Sequence, residues 1–190
     1  MKKILCSLAV TWGMSIILAS NGLAGETNYL QVSLRTVGEV APDVITRVSD
    51  WVTANIGPVK NEGVLKSKGK TLDRIVKSVP QPQKDALVLV LVNELAGETR
   101  HLASRDRVVA LNLGVMRLVD MSTDKARETF MRRVEKESVG GLAAAMGMPT
   151  CPMIHCALYA AENTLELDEK SRSLCPPCMQ KLEELKLKSR

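Results

Sequence analysis

Four cysteines near the end of the chain carry its clearest chemical signal. Cys151 and Cys156 stand as C-x4-C, Cys175 and Cys178 as C-x2-C, and eighteen residues separate the two pairs. Two close pairs joined by one loop can bring four thiolates to a single point, the donor arrangement of a tetrahedral metal site. Oxidation to two disulfides is the competing chemistry. Closing a ring within Cys175-Pro-Pro-Cys178 strains the turn, so oxidation favours bridges between the two clusters. A thioredoxin-like role for the C-x2-C pair calls for an adjoining βαβ unit, whereas this pair sits near the C-terminus. His155 lies inside the first pair and could replace one thiolate, but a solvated loop residue is the simpler reading. His101, in Arg100-His-Leu, reads as a surface residue, and Asn93 as a turn former. No two histidines stand at i, i+4, because His101 and His155 are the only ones.

The elements that must position the cysteines follow from periodicity. Tyr29 to Leu34 alternates like a strand. Val44 to Val52 has helical spacing and ends before Gly57-Pro58. Pro58 to Leu65 reads as a short second strand, and Thr71 to Val79 as a short helix stopped by Pro80. Ala86 to Val92 is unbroken in apolar character, which suits a strand buried on both faces. Glu94 to Asp106 is polar and reads as a loop or weak edge strand, and Arg107 to Leu113 is another strand. Ser122-Thr123-Asp124 offers a helix cap with an acid in the first turn. The long helix that follows has Phe130, Val134, Leu142 and Met146 as its inward candidates and is ended by Pro149. Met179 to Arg190 is a charged helical stub. This β-α-β-α-β-(β)-β order predicts an α/β layer architecture.

Bulk properties exclude several function classes. The chain has 190 residues, enough for one domain, and a formal charge of +5. Lys2 and Lys3 precede the apolar run Ile4 to Ala19 and the small residues Gly22 and Ala24, the order of a cleavable secretory signal. Residues 1–24 are therefore expected to be a signal peptide and 25–190 the mature domain, exported to a periplasmic or extracellular compartment, with an uncleaved anchor as the rival reading of the same run. Cys6 would leave with the signal, and no stable membrane span would remain. The mature charge of 5 − 2 = +3, without a basic run, does not suit a nucleic-acid footprint. Few aromatic residues argue the same way against base stacking. No Gly-rich phosphate loop and no internal repeat is visible.

From about Ser138 to Cys178 the chain resembles the archaemetzincins, zinc-dependent metallopeptidases with the signature H-E-x-x-H-x-x-G-x-x-H-C, then x4-C-x-M and a distal C-x-x-C. The resemblance implies a zincin/metzincin-like twisted mixed sheet with helices, an active-site helix beneath it, and a C-terminal four-cysteine metal knot. Cys151, Cys156, Cys175 and Cys178 fall on the structural-zinc positions, and Gly147 on the signature glycine. The catalytic positions are vacant. Gly140 stands at the first His, Gly141 at the Glu, Ala144 at the second His and Thr150 at the third. Leu158 replaces the methionine, and the following loop is one residue short.

A catalytic zinc needs imidazoles and a carboxylate base, which none of these four side chains supplies. Glu135 and Glu137 precede the site and do not occupy the general-base position. Gly140, Gly141 and the alanines Ala143 to Ala145 smooth the helix surface, so the old cleft is expected to be filled or collapsed. The implied function is an exported pseudo-peptidase that keeps one structural zinc ion, lacks the catalytic ion, and binds a peptide or protein partner. An active zinc peptidase with unorthodox ligands and a disulfide-stapled structural protein are the alternatives.

Overall fold

The computed structural model describes residues 30–83, 85–93 and 95–188. The signal assigned to residues 1–24 and Glu94 lie outside them. In chain order the elements are β1 (Gln31–Val37), α1 (Pro42–Asn55), β2 (Val59–Val64), α2 (Leu72–Ser78), β3 (Ala86–Val92), β4 (Leu102–Arg105), β5 (Val108–Asn112), α3 (Leu113–Met116), α4 (Asp124–Ala145), α5 (Thr164–Glu169) and α6 (Pro176–Lys188). Five strands form one mixed sheet in the order β2-β1-β3-β5-β4, parallel except for β4 on the edge.

The unbroken apolar run of β3 lies at the centre of this sheet, flanked in register by β1 and β5. Its odd and even residues face opposite layers, so both must be apolar. Leu87, Leu89 and Leu91 join Val109 and Leu111 in one core beneath α1 and α4. Val88, Val90 and Val92 join Val108 and Ala110 in a second core that α2 covers with Leu72, Ile75 and Val76. Three layers result, with helices on both faces of the sheet.

Local signals place the helix ends. Thr71 caps α2 by accepting from the Arg74 amide, and Thr123 caps α4 by accepting from the Ala126 amide. Pro42 begins α1 and Pro176 begins α6, where their missing N–H costs nothing. The last of these moves the C-terminal helix ahead of the expected Met179. The polar stretch before Arg107 resolves into an antiparallel edge strand, β4, pairing Leu102–Arg105 with Val108–Leu111. Two short helices are additional to the sequence reading: α3 is capped by Asn112 and α5 by Asn163, each asparagine accepting from the backbone just downstream. Met146 is not an inward residue of α4 but its half-buried C-cap, at the margin of the core.

α4 organises the rest. From Arg133 to Ala143 every residue is buried, including Arg133, Glu135, Lys136, Glu137 and Ser138. A helix enclosed on all sides but carrying charge must pair that charge. Arg133 takes Asp168 through Nε at 2.7 Å and donates to the Met116 carbonyl at 2.9 Å. Lys136 donates to the carbonyls of Leu167 and Asp168. These bonds tie α3 and α5 to the central helix and fix the chain that leads to the cysteines.

Candidate metal centre and the adjoining cleft

α4 ends in a turn that delivers the first cysteine. Gly147 has a φ of +92°, the left-handed conformation glycine adopts without strain. Its N–H donates to the Ala144 carbonyl at 2.9 Å, and the Met148 N–H reaches the Ala143 carbonyl at 3.2 Å. This is the paired bonding of a Schellman cap. The chain then reverses, so that the Cys151 N–H meets the Leu158 carbonyl at 3.1 Å, and the Ala157 N–H meets the Ser173 carbonyl at 3.0 Å. The second pair opens α6, with Cys175 just ahead of Pro176.

The four Sγ atoms of Cys151, Cys156, Cys175 and Cys178 all lie within 4.8 Å of one another, and Cys151 and Cys175 are 3.8 Å apart. A tetrahedron with metal–sulfur bonds of about 2.3 Å has edges of about 3.8 Å, so the donor set fits zinc. Three of the thiols are buried and Cys178 is half-buried. Backbone amides serve the sulfurs: the Cys175 N–H donates to the Cys156 Sγ at 3.4 Å. The Cys178 amide, acting on Cys175, holds that thiol below its usual range, while burial pushes Cys156 and Cys178 up. A zinc ion here would cross-link the end of α4 to the start of α6 and hold all four sulfurs as thiolates. His155 is exposed and takes no part in the cluster.

Beside this knot lie the four positions that the sequence aligns with the catalytic groups of the signature. Gly140, Gly141, Ala144 and Thr150 line one cavity of about 120 Å³. The expected collapse is therefore incomplete, and a small void remains. Its walls explain the two glycines. A Cβ on Gly140 would fall on the backbone carbonyl of Ala157, with the Lys170 Nζ at 3.3 Å. A Cβ on Gly141 would stand 2.8 Å from the Val109 Cγ1 and 2.9 Å from the Leu102 Cδ1. The glycines let α4 lie against the knot on one side and the sheet on the other.

The structure also brings together three residues that sequence reasoning had left apart. The buried Glu137 carboxylate accepts from the Lys170 Nζ at 2.6 Å and lies 3.4 Å from the His101 Nε2. Burial pushes this carboxyl up, but the His101 hydrogen bond and the Lys170 charge outweigh it and hold the group below the usual carboxylate range. Glu137 and Lys170 line the 120 Å³ cavity, and Glu137 and His101 line a wider one of about 480 Å³ alongside Tyr159. His101 is thus no simple surface residue: its side chain is only 16% exposed. The signal for Glu137 was present, since it sits three residues before Gly140 and four before Gly141 on the same helical stripe. Nothing local in the sequence pointed to Lys170. Asn93 lies just beyond the end of β3, its N–H donating to the Val37 carbonyl and its Oδ1 accepting from Arg117.

Comparison with known proteins places this geometry. No curated protein matches the chain significantly. Among solved structures, archaemetzincin from Methanopyrus kandleri is 21% identical, with a TM-score of 0.68 over 87% of this chain and 99% of that one. Archaemetzincin from Archaeoglobus fulgidus, complexed with malonate, is 14% identical with a TM-score of 0.65, over 80% of this chain and 99% of that one. A zinc-dependent peptidase from Methanocorpusculum labreanum is 15% identical with a TM-score of 0.67 over the same shares. At these identities the likeness establishes the fold. The family model for peptidase family M54 matches residues 88–184, just over half of the chain. The chain belongs to that family, the archaemetzincins.

Proposed function

We propose that this protein is an exported archaemetzincin-fold pseudo-peptidase, with one structural zinc on Cys151, Cys156, Cys175 and Cys178 and no catalytic zinc. The carrying observation is what occupies the cleft. The positions of the family's catalytic groups hold Gly140, Gly141, Ala144 and Thr150, and the ammonium of Lys170 lies beside Gly140. A fixed cation there repels a dication, and the Glu137 carboxylate that could attract one already pairs with it. Metal analysis with a peptide-hydrolysis assay on the full-length protein tests this: one zinc per chain and no chelator-sensitive hydrolysis are expected. Two zinc ions per chain with activity lost to chelation would overturn the reading in favour of an active peptidase using other ligands.

The meeting of His101 and Glu137 is the observation on which that second reading rests, and a His101→Ala variant that loses the second zinc would establish it. Export rests on the charged, apolar and small-residue order of residues 1–24. Sequencing the N-terminus of protein recovered from the exporting cell should begin at Gly25, and an intact Met1 in that fraction refutes cleavage. Among the described residues, no helix is long and apolar enough to cross a membrane. A peptide or protein partner is the remaining part of the proposal. A photo-cross-linker at Thr99, on the rim of the 480 Å³ cavity, should capture it; equal capture from a site on α2 would remove that support.

A further inference from the structure

A third cavity, on the other side of Lys170, has chemistry that neither the metal knot nor the cleft at Gly140 uses. It encloses about 420 Å³ between α4 and the segment that joins α5 to the second cysteine pair. Thr129, Arg132, Lys136, Asp168, Lys170 and Arg172 line it: four cations and one carboxylate. We propose that this cavity binds a phosphate dianion.

Charge balance carries the inference. The lining cations and the groups bonded to them fall into three bonded sets. Glu128 binds Arg132 and Arg47, Glu135 binds Arg47 and Arg172, Glu137 binds Lys170, and Asp168 binds Arg133. Arg47, Arg132, Arg133, Lys136, Lys170 and Arg172 are six cations, and Glu128, Glu135, Glu137 and Asp168 are four carboxylates. Two positive charges lack a bonded carboxylate, one in the set that contains Arg47 and one in the set of Arg133 and Lys136. Asp43 and Asp50 share a different cavity with Arg47, so the excess that belongs to this cavity is the one on Lys136.

Lys136 is where the excess concentrates. It is 6% exposed and has no carboxylate bonded to it, only the two carbonyls of Leu167 and Asp168 at 2.8 and 2.7 Å. An ammonium has three N–H groups, so one is left for the cavity. Burial depresses its pKa; Asp168 opposes this, and Lys170, Arg132 and Arg133 add to it. A bound dianion relieves that field.

The other donors are equally underused. Arg132 spends its Nε on Glu128 and Arg172 its Nη1 on Glu135. The two terminal amino groups of Arg132 and the Nη2 of Arg172 make no hydrogen bond to the described residues. Guanidinium forks and ammonium groups converging on one volume are the donors that bind phosphate through charge-assisted hydrogen bonds. Their neighbours hold them in place: Arg172 also stacks on the Trp51 ring at 4.7 Å.

The test is isothermal titration of the full-length protein at fixed ionic strength, with inorganic phosphate and with phenyl phosphate as separate ligands. Saturable one-to-one binding is expected for at least one of them, weakened about tenfold or more by Arg132→Gln and by Lys136→Met. Arg132 is more than half exposed, so its variant leaves the core intact and keeps the test readable if Lys136→Met unfolds. Tighter binding of phenyl phosphate assigns the site to a phosphomonoester, and the reverse ranking to free phosphate; both support the site. Affinities unchanged in Arg132→Gln, or no saturable binding of either ligand, would overturn the inference. Neither result depends on whether the protein hydrolyses peptides.

Discussion

Adding one methyl group to α4 gives a discriminating measurement. Gly140→Ala replaces the poorest helix former other than proline with the best, so propensity alone predicts a gain of about 1 kcal/mol. The structure predicts the opposite sign. The new Cβ falls on the Ala157 carbonyl oxygen and lies 3.3 Å from the Lys170 Nζ. The carbonyl cannot swing aside freely. Ala157 donates its own N–H to Ser173, and its neighbour Cys156 is a buried member of the thiol cluster. Overpacking of this kind costs about 1–3 kcal/mol, and more where backbone must move. With backbone in the way the cost lies in the upper part of that range, about 2–3 kcal/mol, so a net loss of about 1–2 kcal/mol remains after the propensity gain, or about 2–8 °C in Tm for a domain of this size.

Gly141→Ala is the paired control, because its Cβ meets only the ends of the Val109 and Leu102 side chains, at 2.8 and 2.9 Å. The Leu102 end can rotate and the β-branched Val109 less so, but no backbone stands in the way, so its loss should be the smaller of the two. Equilibrium urea unfolding of both variants, with zinc content measured on the same samples, reads both effects. Gly140→Ala is also expected to release zinc to a chelator faster, since the displaced carbonyl carries Cys156 with it. A Gly140→Ala protein as stable as the parent or more stable would refute the account of the close approach.

Other expectations concern the charges and the knot. Glu137→Gln and Lys170→Met each break a pair whose side chains are 5% and 4% exposed, and each should cost about 3–5 kcal/mol by thermal or urea unfolding. A Glu137→Leu, Lys170→Met double variant should recover much of that loss, because no unpaired charge is left buried. Glu128 is held down to about 2 by its hydrogen bonds to Arg47 and then Arg132, whereas an unfolded glutamate titrates near 4.3. A depressed folded value adds stability that is full above about 4.3 and drains as the pH falls towards 2, so Glu128→Gln should flatten that limb of a stability-versus-pH curve. Chelation should lower the Tm without abolishing cooperative unfolding, since the sheet keeps its own two cores. Cys156→Ser, at the most buried sulfur, should lose zinc more completely than Cys178→Ser in a colorimetric release assay. A native protein with no titratable thiols after chelation would point to disulfides instead.

The layers and the knot were legible in the sequence because both rest on local pattern. The apolar run of β3 reports two-sided burial directly, and C-x4-C with C-x2-C reports a four-donor cluster whatever the path between them. Caps such as Thr71 and Thr123 declare themselves by residue type. What the pattern missed depends on contacts distant in sequence. The stretch of β4 is polar because one side faces solvent, so it reads equally as a loop or an edge strand until its pairing with β5 decides. His101 looked superficial for the same reason, and becomes half-buried only where β4 passes over α4. The charged run Arg133-Val-Glu-Lys-Glu137 reads as a solvated helix face until partners from α1, α5 and the Lys170–Arg172 segment cover it. Charge in a sequence marks exposure only when nothing elsewhere in the chain can pair with it.

The cysteine cluster and the cleft at Gly140 are mechanically coupled, and this bears on whether the ligands of the family signature could be accommodated there. Cys156 and Leu158 flank the residue whose carbonyl rests on Gly140; the Cys151 N–H is bonded to the Leu158 carbonyl and the Cys175 N–H to the Cys156 sulfur. The knot that stabilises the fold therefore holds the cleft wall against α4. An imidazole at position 140 must displace that wall before it can reach any metal. A Gly140→His, Gly141→Glu, Ala144→His, Thr150→His variant restores the donor types of the family signature, yet it should bind no second zinc while Lys170 pairs with Glu137 and Ala157 keeps its place. Adding Lys170→Ala removes the competing cation but leaves the carbonyl, so that variant should still hold one zinc per chain by metal analysis. Two zinc ions in the four-residue variant would show that the wall yields to the ligands, and that side chains alone account for the vacancy.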